Sequence, residues 1–334
     1  MTEPNLLTAA RDGDEAAFGE LVGPYRSELS AHCYRMLGSI HDAEDALQDA
    51  LLRAWRGLSR FEGRSSLRSW LYAIATNTCL RAIERRPKRV LPIDYGPAAT
   101  DPHAPNRPLV ESVWVEPYPA LDTGYEQRES IELAFIAALQ HLPARQRAVL
   151  ILRDVLGFSG AETADVLDTN ADAVYTALQR AHKTVEQRLP ERSQQATLRS
   201  LGDAGLRELV EGYVDAWERA DIDALAAMLA EDAAFSMPPQ ALWFRGRDDI
   251  AAFLALEPLQ HGNRWRVIPT SANSQPAFGH YIWDDDENAF VPEAIVVLTL
   301  DGDRISDVTA FREAELFEHF GLPDRLPSEE PRHR

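Results

Sequence analysis

Trp55, Phe61, Trp70 and Tyr72 stand among arginines in the stretch from Arg53 to Arg89. Aromatic faces interleaved with guanidinium groups suit unstacked bases better than an intact duplex. The stretch carries ten Arg or Lys against two acids, Glu62 and Glu84, within a chain of 334 residues whose formal net charge is -19. A basic island in an acidic protein is the footprint of a polyanion, because each cation near a phosphate releases condensed counterions. Residues 61–66, FEGRSS, place Gly63 and two serines in a short loop between two helices. Trp55, Trp70 and Leu71 would also serve as the core of a helical hairpin, and residue types alone leave both readings open.

The elements that must position these groups can be taken in chain order. Residues 6–37 read as helical, with Ala9, Ala16, Phe18, Leu21, Val22, Tyr25 and Leu29 at roughly helical spacing. Pro24 should begin or kink a helix. A helix with acidic residues Asp42, Glu44, Asp45 and Asp49 leads into the basic stretch. Residues 90–128 hold seven prolines between Pro92 and Pro119 and read as an extended linker. Its WVEPYP, residues 114–119, is too aromatic for a plain spacer. It reads either as packing on a neighbouring domain or as a docking segment.

Periodicity returns at Ser130, with Leu133, Ile136, Ala137, Leu139 and Leu142 on one face and Pro143 opening the next helix. Ser159 and Glu162 form a capping-box pattern, and Asn170 is a good N-cap after the turn at Asp168 and Thr169. Val174, Leu178, Ala181 and Val185 share one face of the last helix. Asp172, Tyr175, Thr176, Gln179, Arg180 and Lys183 point away from it. Two helices across a tight turn, with a polar outward face on the second, predict a helix-turn-helix within 129–192. Six bases against six acids in 135–190 imply weak DNA binding by this part alone.

Beyond residue 203 the pattern changes. Leu206, Leu209, Val210, Tyr213, Val214 and Trp217 predict a long amphipathic helix, and a second is expected from Ile222 to Ala230. Strands are expected at 234–237, 265–270, 277–283, 289–300 and 304–311. Helices followed by a run of antiparallel strands predict an α+β layer or cone over 203–322, with a tail at 323–334. Residues 191–334 carry thirteen bases and twenty-seven acids, which argues against DNA binding there. The acidic run at 284–287 reads as a solvated loop rather than a metal site.

Length alone predicts two or three domains. No apolar run is long enough to span a bilayer, and the polar start MTEPNLLTAARDGDEAAF is not a signal peptide. Cys33 and Cys79 lack metal-ligand spacing and read as buried thiols in a reducing cytoplasm. No cofactor or metal is expected.

The runs DAEDALQDALLRAW and FEGRSSLRSWLYAIATNTCL, residues 42–55 and 61–80, closely resemble region 2 of extracytoplasmic-function sigma factors of the sigma-70 family. The resemblance implies that the acidic helix binds the β′ clamp helices of core RNA polymerase through Asp42, Glu44, Asp45, Gln48 and Asp49. It also implies that the following loop and helix read a melted −10 element with one base flipped out. The residues so implicated are Phe61, Glu62, Arg64, Ser66, Arg68, Trp70, Asn77 and Arg81. LPARQRAVLILRDVLGFSGAETADVL and AVYTALQRAH resemble sigma region 4, which binds the −35 element in the major groove and the β flap. That assigns Asn170, Asp172, Tyr175, Thr176, Gln179, Arg180 and Lys183 to −35 DNA. The family often has Lys or Arg where Tyr175 and Ala177 stand, and Thr at Ala173, so fewer phosphate contacts are expected.

DAWERADIDALAAMLAEDAAFSMPP and FRGRDDIAAFL resemble the SnoaL-like, NTF2-like fold, an extension that some sigma factors of this family carry. Its isomerase relatives use an Asp general base where Ser236-Met237-Pro238 aligns, and methionine cannot accept a proton. Trp217, Phe235, Met237, Trp243, Phe253 and Trp265 are expected instead to line an apolar interior for a small apolar ligand. Phe278 and Trp283 share that reading, and Asp307 remains an isolated candidate acid. The expected fold is therefore multidomain: two all-α domains plus a C-terminal α+β cone. The expected function is promoter recognition for polymerase, with residues 203–322 as intramolecular regulator. The alternatives are a ligand-sensing helix-turn-helix regulator and a fused isomerase-type enzyme.

Overall fold

The computed structural model describes residues 2–103, 108–109, 113–119, 129–260 and 262–328. The chain divides into two compact units. The first comprises residues 1–89 and 134–189; the second comprises 90–133 and 190–334.

The first unit is helical throughout. It contains α1 (Glu3–Arg11), α2 (Glu15–Val22), α3 (Arg26–Leu37), α4 (Ile40–Gly57) and α5 (Leu67–Ile83). Pro24 sits in a 3-10 turn that separates α2 from α3, as its missing N–H and fixed φ favour. Gly38 ends α3 at φ 71° and hands its N–H back to the Tyr34 carbonyl at 2.7 Å. Ser39 then caps α4 by accepting from Asp42 N at 3.1 Å, and Ser66 caps α5 through Ser69 N at 3.0 Å. Cys33 and Cys79 are both buried and reduced, and a hydrogen bond with Cys33, helped by burial, holds the Cys79 thiol well above its usual range.

After the short helix α6 (Pro92–Tyr95), which belongs to the second unit, the chain returns to the first through α7 (Leu133–Gln140). There follow α8 (Ala144–Leu150), a π-helical turn at Ile151–Val155, α9 (Gly160–Val166) and α10 (Ala171–Glu186). The capping box forms as its spacing predicts, with Glu162 N 3.2 Å from Ser159 Oγ and Ser159 N 2.8 Å from Glu162 Oε2.

The second unit is built on a six-stranded sheet in the order β2-β1-β6-β5-β4-β3. The strands are β1 (Leu229–Ser236), β2 (Trp243–Arg245), β3 (Trp265–Ala272), β4 (Gln275–Asp284), β5 (Ala289–Asp301) and β6 (Arg304–Phe311). All five strands read from the sequence are present, and the short β2 was not anticipated. The sheet is mixed, not antiparallel as expected: β1 runs parallel to β6, because β6 comes back beside β1 only after the intervening chain has made the rest of the sheet. Helices α11 (Gln194–Glu218, broken at Gly202), α12 (Ile222–Met228) and α13 (Arg247–Leu256) supply Tyr213, Trp217, Leu225, Ile250 and Phe253 to the core against one sheet face. On β4, Gly279 and Tyr281 point the other way, toward α14 (Leu316–His319) and the chain after it: a Cβ on Gly279 would come within 2.6 Å of Leu322 Cδ1. Leu326 continues this packing by bridging Phe290, so the chain past residue 322 is part of the fold.

The described parts of 90–133 are bonded to the rest of this second unit. Ala99 N donates to Trp243 O at 2.8 Å, and Leu109 N to Pro239 O at 3.1 Å. Tyr118 and Asn273 exchange two bonds, and the Asn273 amide also donates to Ile131 O at 2.8 Å. The buried Glu132 carboxylate receives Gln194 N and Gln195 N at 3.0 and 2.8 Å, capping α11. Burial outweighs those bonds and raises its carboxyl to about 7.

A raised carboxyl pKa means the folded state binds the proton more tightly than the unfolded chain. The contribution of Glu132 is therefore fully present at pH below about 4.5 and fades as pH rises through about 7. In urea titrations Glu132→Gln is expected to lack that component, flattening the stability–pH slope by up to about 1.4 kcal/mol per unit in this window. Identical slopes in variant and wild type would contradict it.

Candidate nucleic-acid interface and C-terminal cavity

Helix α10 presents one open face. Asn170 caps it through Ala173 N at 2.9 Å, and Val174, Ala181 and Val185 are buried against the unit. Asn170, Asp172, Tyr175, Thr176, Gln179, Arg180 and Lys183 are all exposed. Tyr175 is 63% exposed, and its hydroxyl accepts from Gln179 Nε2 at 3.0 Å, so the two side chains extend outward as a pair.

The residues expected at the −10 element are divided. Glu62 and Arg64 are exposed and paired at 2.5 Å, and Arg81 is exposed. Phe61 is buried, its ring 4.9 Å from half-buried Trp70 and its carbonyl bonded by Arg11. Ser66 acts as the cap of α5. Arg68 lies over both Tyr72 and Phe158, 4.9 Å from each ring, and donates to Leu156 O at 3.4 Å. Asn77 donates to Val166 O at 3.3 Å. Leu156, Phe158 and Val166 belong to the helix-turn-helix half, so part of the α5 face expected to read bases is occupied from within the unit. Trp55 packs edge-on to Phe18 at 5.1 Å, which resolves its open reading in favour of packing.

On α4, Glu44, Asp45 and Gln48 are exposed and Asp49 pairs with Arg53 at 2.9 Å. Asp42 departs from the expectation. It is 8% exposed and bonded to buried Arg89 at 2.7 and 3.2 Å, with Arg86 on its other oxygen. It begins the helix and pins the end of the basic stretch, so it cannot face a partner. The sequence signal was available: an acid in the first turn is placed to meet both the helix dipole and nearby cations. The exposed Leu52 joins the acids, beside a groove of about 710 Å3 running along Phe18, Leu47, Leu51 and Trp55.

In the second unit a cavity of about 320 Å3 lies between the sheet and its covering helices. Trp217, Phe235, Met237, Phe253 and Trp265 line it as expected. Trp243 does not: β2 turns Phe244 inward, and the Trp243 indole donates to Gly96 O at 2.8 Å. Phe278 is in the core, and Trp283 instead lies under Arg264 at 3.9 Å. The sequence reading missed His280, Glu293 and Arg312, which also line the cavity. Strand alternation would have placed His280 beside Phe278 and Ile282. Asp307 alternates with Val308 and Ala310, which face the cavity side, and so lies on the opposite face with Thr309 at 3.2 Å. Burial raises its carboxyl to about 7, against the pull of Thr309 and Arg245. Asp284 accepts from Asp286 N and Glu287 N in the hairpin between β4 and β5, as a solvated turn does.

Three family descriptions match this chain: sigma-70 region 2 over residues 21–89, sigma-70 region 4 over 132–185, and a SnoaL-like domain over 210–308. The chain is 42% identical over 324 residues to the ECF RNA polymerase sigma factor SigG of Mycobacterium tuberculosis strain H37Rv, covering 95% of this chain and 86% of that protein. It is 29% identical to the ECF RNA polymerase sigma factor SigW of Bacillus subtilis over 55% of this chain and 94% of that one. The crystal structure of the M. tuberculosis extracytoplasmic function sigma factor SigJ shares the fold, with TM-score 0.57 at 20% identity over 90% of this chain and all of that one. The protein belongs to the ECF RNA polymerase sigma factors, in a form that carries a C-terminal SnoaL-like domain. That membership sets aside the free-standing helix-turn-helix regulator. No helix among the described residues is long and apolar enough to cross a membrane.

The Asp42–Arg89 pair is buried on both sides, so removing one partner strands a charge. Asp42→Ala is expected to lower unfolding stability by about 3–5 kcal/mol in denaturant titration. Asp45→Ala, which removes only an exposed carboxylate 4.0 Å from Arg86, should stay within about 0.5 kcal/mol. Equal effects would refute the burial-based distinction.

Proposed function

We propose that this sigma factor binds core polymerase through the exposed face of α4, with Glu44, Asp45, Gln48, Asp49 and Leu52 as the contact set. Residues 1–89 act as region 2, 129–192 as region 4 and 203–322 as the SnoaL-like domain, with 90–128 joining them. Phe61, Glu62, Arg64, Arg68, Trp70, Asn77 and Arg81 serve the melted −10 strand, with Ser66 shaping the loop. Asn170, Asp172, Tyr175, Thr176, Gln179, Arg180 and Lys183 serve the −35 duplex, and region 4 also meets the β flap. The protein works in the cytoplasm and performs no catalysis: Met237 stands where a general base would be needed, and Asp307 lies on the far face of the sheet.

The observation that carries the reading is the unequal state of the two promoter-facing surfaces. The α10 face is open, while Arg68 and Asn77 are bonded to the carbonyls of Leu156 and Val166. This is a closed form, and it must open before a strand can enter beside α5. The C-terminal domain regulates that opening by holding the segment 90–133, whose length sets how far regions 2 and 4 can separate. Its cavity takes a small ligand.

Run-off transcription with purified core polymerase tests the assignment. Asp45→Arg with Asp49→Arg should abolish core binding and transcript at unchanged melting temperature, since like charge against a basic partner costs several kcal/mol. Co-purification with core at the wild-type level would refute the contact set. Trp70→Ala should impair open-complex formation on duplex promoter more than on a pre-melted bubble, losing roughly 1–3 kcal/mol of stacking. Equal defects on both templates, or a lowered melting temperature, would point to packing instead.

A further inference from the structure

The chain has two cysteines, and the structure brings them together. Cys33 lies on α3 and Cys79 on α5, and both are fully buried. The Tyr72 hydroxyl donates to Glu28 Oε2 at 3.2 Å, and His32 Nε2 lies 2.9 Å from Thr76 Oγ1. Residues 28 and 32 thus stand beside 72 and 76, so the two helices run side by side in the same direction. Cys33 and Cys79 follow on that seam, and their thiols are hydrogen-bonded to each other.

In the closed unit this pair is inert. The thiolate is the reactive form of cysteine, and the bond with Cys33 together with burial holds the Cys79 proton in place. The cover over the seam comes from the helix-turn-helix half. Helix α8 packs on both α3 and α5, and its Arg147 reaches the Met36 carbonyl, three residues past Cys33. Further along α5, Asn77 and Arg68 are bonded to the Val166 and Leu156 carbonyls. Lifting that half off α5 removes the burial and lets water and a small oxidant reach both sulfurs.

We propose that Cys33 and Cys79 form a thiol–disulfide site, oxidised by a hydroperoxide when the helix-turn-helix half lifts from α5. One sulfur attacks the peroxide and breaks its O–O bond, becoming a sulfenic acid; the departing oxygen takes the thiol proton and leaves, as water in the case of hydrogen peroxide. The second thiol then attacks the oxidised sulfur, the S–OH bond breaks, and a second water carries off the remaining proton. Two thiols and one hydrogen peroxide become one disulfide and two waters, so the two electrons lost by sulfur are those gained by the peroxide. Hydrogen-bonded sulfurs stand a short approach from the ~2.05 Å of the product bond. Exchange with a small thiol reverses the change, as suits a transient bridge in a reducing compartment. The inference rests on the reading above that the closed form must open, and adds a chemical event that opening permits.

The test treats the reduced full chain with hydrogen peroxide, alkylates the remaining thiols and follows by mass spectrometry the peptide pair joined through Cys33 and Cys79. The joined pair is expected in monomeric protein and should disappear on adding dithiothreitol. Arg68→Ala combined with Asn77→Ala removes both bonds that hold the cover on α5, and should speed joining roughly tenfold or more. Should that variant fail to fold, as judged by circular dichroism, the wild-type chain bound to core polymerase takes its place, with the same acceleration expected. An unchanged rate in the opened form would overturn the inference, as would sulfenic or higher acids on either cysteine without joining. No joined pair in a reduced chain that still directs run-off transcription would overturn the thiol site and leave the closed-form reading standing. Joining at the expected rates with no transcript from the reduced chain would support the site and count against the sigma-factor reading instead.

Discussion

Arg147 is the constraint on which the helical unit depends. Its side chain is buried at 5% exposure and donates to the Met36 carbonyl, to Gln140 Oε1 at 2.5 Å, and to the Gln140 and Leu142 carbonyls at 3.2 and 3.3 Å. Met36 lies in the last turn of α3, where carbonyls have no intrahelical partner and the dipole favours a cation. One guanidinium therefore closes the end of a region 2 helix and the turn that starts the region 4 helices. Burial lowers its pKa to about 10, which still leaves it charged at neutral pH. Gln140 completes the junction by donating to Arg35 O at 3.3 Å, over Gly38, where a Cβ would meet its Cδ at 2.9 Å. Glycine is required there twice, for the positive φ and for the space. In the same unit α9 and the Leu156–Phe158 turn occupy part of the α5 face.

Charge explains why the basic stretch is not uniformly a DNA surface. A buried carboxylate such as Asp42 is tolerable only when fully paired, and Arg86 and Arg89 supply that pairing. Two of the ten cations counted in the stretch are thereby committed to the fold, and Arg53 is committed to Asp49. Arg68 is held between two aromatic rings with Glu28 at 3.7 Å. Arg64 on the loop shares its charge with exposed Glu62, which leaves Arg81 at the exposed end of α5 among the cations open to a polyanion. A net charge summed along sequence overstates the field at any one face, because partners brought in from other helices are invisible to it.

Local patterns were the most legible part of the sequence. Caps at Ser159 and Asn170 act over three residues, and strand alternation over two, so both can be read without tertiary knowledge. The cavity was half legible for the same reason: Phe235 and Met237 alternate correctly, whereas Trp243 was drawn inward by its size alone. Its actual partner, the Gly96 carbonyl, is 147 residues away in sequence. The mixed sheet was not legible, because whether β6 lies parallel or antiparallel to β1 is decided by how the intervening chain crosses the sheet. Nor was the attachment of 90–133 to the second unit, since proline content predicts an extended backbone but not what receives its hydrogen bonds.

Those hydrogen bonds give the C-terminal domain a mechanical hold on the chain between the two sigma regions. Met237 lines the cavity, and the residues that follow it carry the bonds outward. Pro238 O accepts from Arg312 N at 2.8 Å, Pro239 O accepts from Leu109 N at 3.1 Å, and Gln240 pairs with Pro108. At the other end of the sheet, Gln275 accepts from Leu133 N at 2.8 Å while its amide donates to Leu298 O and Thr299 Oγ1 at 3.0 Å. The described parts of the joining segment are thus bonded both to the turn after β1 and to β4. Close-packed interiors shift between discrete arrangements rather than deform smoothly. Met237 is joined to Leu109 through the Pro238–Pro239 backbone. It is the point where the cavity wall meets the residues bonded to the joining segment.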